Sequence, residues 1–254
     1  MSGRLFLVPN TLDFGVTGTG LPPDLQEVLP LGVIRIAAQL GFWVAENAKT
    51  TRAFLKRVDA VVPLAQPLQS VQIVELPRLQ KGAQPTVAIA SESMLTPAMQ
   101  GHDIGLISEA GLPAVADPGA GLVAAAHALG IQVVSLSGPS SLMLALAASG
   151  LNGQSFAFVG YLPVDAADRS ARIRELEALS RRGGQTQVMI ETPYRNAPLL
   201  SALLANLSGE TQLSVSCGLT LEQGWTRSAT VAAWRAASTA LPKDVPAVFC
   251  FLAH

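Results

Sequence analysis

Cysteine is nearly absent from this chain of 254 residues, which holds only Cys217 and Cys250. Both sit in apolar runs without the spacing of a metal site or a redox motif. That excludes a disulfide framework and leaves core thiols in a reducing cytoplasm as the expectation. Histidine is as scarce: His102, His127 and His254 are scattered, and no serine stands in a G-x-S-x-G frame. Neither a hydrolase triad nor a clustered metal centre is predicted, so no metal is expected. Charged residues make up 14% and the net charge is −1, so the chain has no broad basic surface for indiscriminate binding of nucleic acid. No apolar run approaches the roughly eighteen residues of a membrane-spanning helix. The start, Met1-Ser2-Gly3-Arg4 and then a short apolar strand, lacks the design of a signal peptide.

Hydrophobic residues, at 49%, are plentiful enough to bury one large core or two modest ones. The most telling stretch is 104–121. An apolar strand, I-G-L-I, runs into S-E-A-G-L-P-A-V-A-D-P-G-A-G and then into an alanine-rich helix over 122–129 that Gly130 stops. A second buried strand over 131–136 follows, which makes a strand–loop–helix–strand unit suited to a parallel sheet. Loops at the carboxyl ends of such strands form ligand crevices, and this one is too elaborate for a connector. Gly111, Gly119 and Gly121 let backbone approach a ligand, while Pro113 and Pro118 fix the path. The next strand ends in Ser137-Gly138-Pro139-Ser140-Ser141, a turn suited to open the helix over 142–148, whose amide-rich start attracts a carboxylate. The run Gly119 to Ala124 fits G-x-G-x-x-A, but it begins eleven residues after the strand and no acid follows about twenty residues on. A dinucleotide site is therefore not predicted.

In order along the chain, L-V-P, S-E-A-G-L-P-A-V-A-D-P-G, S-G-P-S-S and G-Y-L-P resemble the tetrapyrrole methylase family of S-adenosylmethionine-dependent methyltransferases. Within it, the chain is most similar to the branch of the ribosomal RNA small subunit methyltransferases I, which act on a cytidine ribose 2′-hydroxyl. The resemblance implies an α/β protein of two α/β domains with a ligand cleft between them, S-adenosylmethionine as cofactor, and a homodimer. The expected domains are 1–137 and 138–254, with the hinge in 137–141. Strands are expected near 4–8, 42–46, 104–108 and 131–136 in the first, and near 156–159, 187–191, 212–217 and 247–252 in the second, with helices over 167–179 and 198–207. The donor site maps onto Pro9, Ser108, Glu109, Ala110, Gly111, Asp117, Ser137, Gly138, Pro139, Ser140, Ser141, Met189, Ile190, Pro246 and Ala247. For Asp117, capping of the Pro118-Gly119 turn is the structural alternative.

On the acceptor side stand Glu46, Lys49, Glu191, Tyr194 and Arg195, each of which could instead be a strand-end cap or a surface ion pair. The chain departs from its branch in reading S-E-A-G for S-D-A-G, and A-E-N-A-K over 45–49 for A-E-D-T-R. Lysine does not replace an arginine fork that grips a phosphate or a base edge. The departures leave three acceptor classes open: a ribose or base of structured RNA or a ribosomal subunit, a tetrapyrrole-like small molecule, or none, in a donor-binding protein without catalysis. An RNA could be reached through Arg52, Lys56 and Arg57, or through Arg169, Arg172, Arg174, Arg181 and Arg182. The glycine-rich stretch 15–23 is read as a lid over the acceptor or as a plain surface loop.

Overall fold

The computed structural model describes residues 2–13, 24–77, 92–237 and 240–254; the stretch read as a lid, 15–23, lies outside them. The chain separates into two compact units, Met1–Ser140 and Ser141–His254. In the first, β1 (Arg4–Leu7), β2 (Phe42–Ala45), β3 (Gln72–Glu75), β4 (Ile104–Ile107) and β5 (Gln132–Ser135) form a parallel sheet in the order β3-β2-β4-β1-β5. Successive strand residues point to opposite faces. Phe6, Trp43 and Ala45 pack with the helices Leu31–Gln39 and Ala48–Val61, whereas Leu5, Val44 and Leu106 pack with Thr96–Met99 and Ala120–Ala128.

This division of helices follows from right-handed crossovers. Connections running towards β3 fall on one face and those running back towards β5 on the other. The neighbours β1 and β4 thus send their chains to opposite faces at their carboxyl ends. That is the switch point where a doubly wound sheet opens a crevice.

The second unit joins β6 (Phe156–Gly160), β7 (Thr186–Glu191), β8 (Gln212–Cys217), β9 (Trp225–Thr230) and β10 (Ala247–Leu252) in the order β6-β7-β10-β8-β9. Only β6 and β7 are parallel; the remaining neighbours run antiparallel. Helices Ala166–Gly183 and Asn196–Asn206 cover one face with Ile173, Leu176, Leu199 and Leu203, and helix Ser141–Ser149 covers the other with Leu142, Ala145 and Leu146. Asp165 caps the first of these by accepting the Ala167 and Asp168 N–H groups, and Gly184, at φ 55°, ends it. Cys217 and Cys250 are both buried but belong to opposite faces, so they cannot bridge. Burial pushes the Cys250 thiol up to about 12, and it is inert. All eight expected strands are present to within one residue at either end; the edge strands β3 and β9 are additions. Among the described residues no helix is long and apolar enough to cross a membrane.

Candidate functional site

Three loops of the first unit meet where the crevice opens. Asn10, two residues after the apolar part of β1, exchanges backbone hydrogen bonds with Gly111, 2.9 Å in one direction and 3.2 Å in the other. Its buried carboxamide donates to Ser108 O at 3.1 Å and Glu109 O at 3.0 Å, while Oδ1 accepts the Thr11 N–H at 2.9 Å. The loop after β5 closes on the same point. A Cβ on Gly138 would stand 2.2 Å from Pro9 Cβ, and one on Gly111 would stand 3.6 Å from Pro139 O. Pro9, Ser108, Glu109, Ala110, Gly111, Gly138 and Pro139 are thereby brought together, with Ser137 and Ser140 in the same loop and Ser141 opening the next helix. Asn10, the residue that stitches them, was not among the expected ones. Its signal was slight: a lone amide at the end of the first parallel strand.

The loop itself is wound unusually. Gly111 (φ 67°), Ala114 (φ 65°), Ala116 (φ 64°) and Gly119 (φ 132°) all take positive φ. A left-handed non-glycine residue costs about 1–2 kcal/mol. Two of them within one loop persist only where the surroundings fix the path, and such strain gathers at ligand sites.

Glu46 ends β2. Its N–H donates to Ile107 O at 3.1 Å, and its carboxylate Oε2 accepts the Glu109 N–H at 3.0 Å. Its visible task is to hold the central loop. Asp117 lies near enough to feel both acids. Partial burial first, then the charge of Glu46 and more weakly that of Glu109, push its carboxyl up to about 6, against the opposing influence of the nearby Ser108 hydroxyl, which itself donates to Ala110 O at 3.2 Å. No backbone N–H of the Pro118-Gly119 turn bonds it among the described residues, so the simple turn-cap alternative is not what the structure shows.

A stability consequence follows with a definite sign. Because the folded carboxyl titrates at about 6 and its ordinary value is 3.8, the folded state binds the extra proton between these limits. The contribution is fully present below about pH 4 and lost as pH rises through about 6. Asp117→Asn should therefore gain about 1 kcal/mol relative to wild type between pH 4.5 and 7.5, a value already reduced for solvent screening of a partly exposed group. Urea unfolding at the two pH values reads this, and an unchanged difference between the proteins would contradict the assignment.

Lys49 is exposed on the first turn of helix Ala48–Val61. Asn47 Oδ1 accepts its backbone N–H at 2.9 Å and that of Thr50 at 3.3 Å; Glu75, at the end of β3, takes the Ala48 N–H at 2.7 Å. Among the described residues no hydrogen bond or ion pair ties the Lys49 side chain to the acids.

In the second unit the expected residues share the central strand pair. Ala247 faces Glu191, and the neighbouring registers join Val248 to Ile190 and Phe249 to Met189, with Pro246 just ahead of β10. Met189 is wholly buried core, so only its backbone is available for other contacts. The buried Glu191 carboxylate accepts the Thr192 N–H at 2.8 Å and pairs with Arg195 one turn on. These two charges thus lock the strand end, whereas Tyr194 is 69% exposed. The arginines of helix Ala166–Gly183 are largely spent: Arg169 on Pro163 O and Val164 O, Arg172 on Glu175, Arg174 on Asn206, Arg181 on His254 O.

Residues 15–233 match the family of Tetrapyrrole (Corrin/Porphyrin) Methylases. A protein of Mycobacterium bovis, named Ribosomal RNA small subunit methyltransferase I, is 31% identical over 227 residues, 86% of this chain and 67% of that protein. Its namesake from Mesorhizobium japonicum is 38% identical over 131 residues, 52% of this chain, and the match spans 43% of that relative's length. The solved structure of the methyltransferase CobJ shares the fold at a TM-score of 0.58, with 99% of this chain and 95% of the other covered at 15% identity. With the family matched over most of its length and the doubly wound sheet, crevice loops and second mixed sheet in place, the chain belongs to the tetrapyrrole methylase family.

Proposed function

We propose that the chain is a cytoplasmic S-adenosylmethionine-dependent methyltransferase that acts on a ribose or base of structured RNA. The observation that carries the donor assignment is the meeting of Pro9, Gly111 and Gly138 at the crevice of the first sheet. There, two glycines keep side chains away from a lip of backbone peptide groups, which fits a ligand held by main-chain contacts. Ser108, Glu109, Ala110, Gly111 and Asp117, with Ser137, Gly138, Pro139 and Ser140, would hold the donor. When bound, the donor supplies an activated methyl group on a sulfonium centre.

The rest of the task falls to the protein's own residues. An acceptor hydroxyl or amine must be aligned and relieved of a proton, and much of the rate comes from that alignment. Glu46, fixed by the Glu109 amide, and Lys49, exposed three residues on, are the groups assigned to the acceptor side. The names of the relatives favour RNA over a tetrapyrrole as acceptor.

We also infer pairing with a second copy. Helix Ser141–Ser149 is apolar on every side and leaves Met143 at 45% and Leu144 at 38% exposure, whereas helices apolar all round are ordinarily buried. Sedimentation at the mass of one chain at micromolar concentration would remove that part.

Donor binding is the deciding test. At 1 mM S-adenosylmethionine and a Kd of about 10 μM, the folded state gains about 2.7 kcal/mol, which raises Tm by several degrees. No calorimetric heat and no shift with either S-adenosylmethionine or S-adenosylhomocysteine would refute the proposal. Labelled methyl from the donor should then enter ribosomal RNA or small ribosomal subunits rather than low-mass metabolites.

A further inference from the structure

Helix Ala48–Val61 carries two lysines and two arginines against one acid, Asp59, within 14 residues of a chain whose net charge is −1. Its inward face is Thr51, Phe54, Leu55 and Val58. Arg57 is committed to Asp13 at 3.0 Å and to Thr11 at 3.2 Å. The other three cations, Lys49, Arg52 and Lys56, are all exposed. At 100° per residue they fall within an arc of about 60°, and at 1.5 Å per residue they span about 10 Å along the axis. Ala60 and Ala53, also exposed, lie about 20° and about 40° beside that arc and present no bulk. Among the described residues the three make a single side-chain hydrogen bond, a long one of 3.4 Å from Arg52 to its own helix, at Ala48 O.

The stripe also starts in a meaningful place. Lys49 is three residues beyond Glu46, whose carboxylate grips the central loop of the crevice. The helix start is fixed from both sides, by Asn47 capping Lys49 and Thr50 and by Glu75 holding the Ala48 N–H. Two acids border the track without covering it. Glu75 is turned to the helix start, and Asp59, at the far end, accepts the Leu64 N–H at 3.0 Å.

We propose that Lys49, Arg52 and Lys56 form a docking track for the phosphate backbone of an RNA strand, leading along the outer face of this helix to the crevice of the first sheet. Four of the five arginines of helix Ala166–Gly183, namely Arg169, Arg172, Arg174 and Arg181, have protein acceptors instead, so the larger number of cations there makes no comparable track. Ammonium and guanidinium groups spaced along one narrow face, with small residues beside them, suit a chain of phosphates. This inference rests on the methyltransferase proposal for its direction, but its own test does not use methyl transfer.

The test measures binding of a labelled 20-nucleotide oligouridine by anisotropy from 30 to 200 mM salt, with the paired variant Arg52→Gln/Lys56→Gln and the control Arg172→Gln/Arg174→Gln. Lys49 is left intact because it stands on the acceptor side. Each phosphate contact to a single strand contributes about 0.7 to the slope of log affinity against log salt. The first pair should thus lower the slope by about 1.4 and weaken binding at low salt about tenfold. The control should stay within about twofold. Equal effects of the two variants, or no salt-dependent binding by wild type, would overturn the track. Undiminished retention of the wild-type protein on nuclease-treated ribosomal subunits would overturn it too, by pointing to a protein surface. Calorimetry with S-adenosylmethionine runs in parallel: donor binding that is intact in Arg52→Gln/Lys56→Gln, with RNA binding unaffected, sinks the track and spares the methyltransferase proposal. Absence of donor binding in wild type sinks that proposal instead.

Discussion

Gly138→Ala should cost the protein its donor affinity and much of its stability together. The added Cβ would lie 2.2 Å from Pro9 Cβ and 2.4 Å from Pro9 Cγ. A proline ring has no rotamer by which to withdraw, and Pro9 is anchored beside Asn10, whose backbone and side chain hold Gly111, Ser108 and Glu109. The collision must therefore move the loops after β1 and β5 apart. Overpacking of this kind costs about 1–3 kcal/mol and sometimes more, and a displacement of about 1 Å is enough to weaken a positioned site about a hundredfold. Gly111 makes a useful contrast. A Cβ there would meet Pro139 O at an ordinary 3.6 Å and Leu12 Cδ2 at a tight 3.3 Å, which the end of that leucine relieves by a small shift, so the main penalty is the left-handed backbone at φ 67°. Gly111→Val should abolish donor binding by blocking close backbone approach while Tm falls by only a few degrees. Calorimetry and thermal melts on both variants separate the cases. Wild-type Tm and donor affinity in Gly138→Ala would show that the three loops do not form one unit.

Most of the fold was legible because its inner strands are continuous apolar runs. Ile104 to Ile107 is buried at every position, and so is Ala247 to Phe251. Such strands announce themselves whatever packs on them. The edges did not. β3 reads Gln72-Ile73-Val74-Glu75 and β9 reads Trp225 to Thr230 with an arginine and three hydroxyl residues, both partly solvated and without a clean alternation of apolar and polar positions. Edge strands tolerate polar residues because one side faces water, and that dilutes the pattern from which strands are read. The mixed direction of the second sheet is likewise set by which strands pair, not by any one segment.

The candidate site was legible in its loops and not in its partnerships. Glycine and proline mark where backbone must turn, so the stretch from Ser108 to Gly119 stood out. Nothing in sequence spacing says that Glu46 meets an amide 63 positions on, that Asn10 reaches across 98 positions to Ser108 O, or that Glu191 is neutralised by Arg195. Long-range pairing of polar groups follows from strand order. A reading along the chain lists the polar groups without joining them.

Those partnerships change what is expected of the acceptor-side residues. Lys49, with no described partner for its side chain, should act on transfer alone: Lys49→Ala should leave donor Kd within about twofold and cut methyl transfer about 10–100-fold, because the interaction is made on the way to the transition state. Glu46 should not behave this way. Its carboxylate accepts the Glu109 N–H, a charge-assisted bond whose loss leaves a partly buried donor unmet and costs about 1.5–3 kcal/mol. Glu46→Ala should thus loosen the loop and weaken donor and transfer alike, about tenfold or more for the donor. Glu46→Gln divides the two roles of the residue. The amide oxygen can still accept from Glu109, so donor affinity should recover, but removal of the charge takes away one of the influences that raise Asp117, and its titration should move down from about 6. Carboxyl-labelled NMR of Asp117 beside donor calorimetry reads both outcomes. If Lys49→Ala weakens the donor as much as Glu46→Ala does, the end of β2 belongs to donor binding as a whole and not to the acceptor.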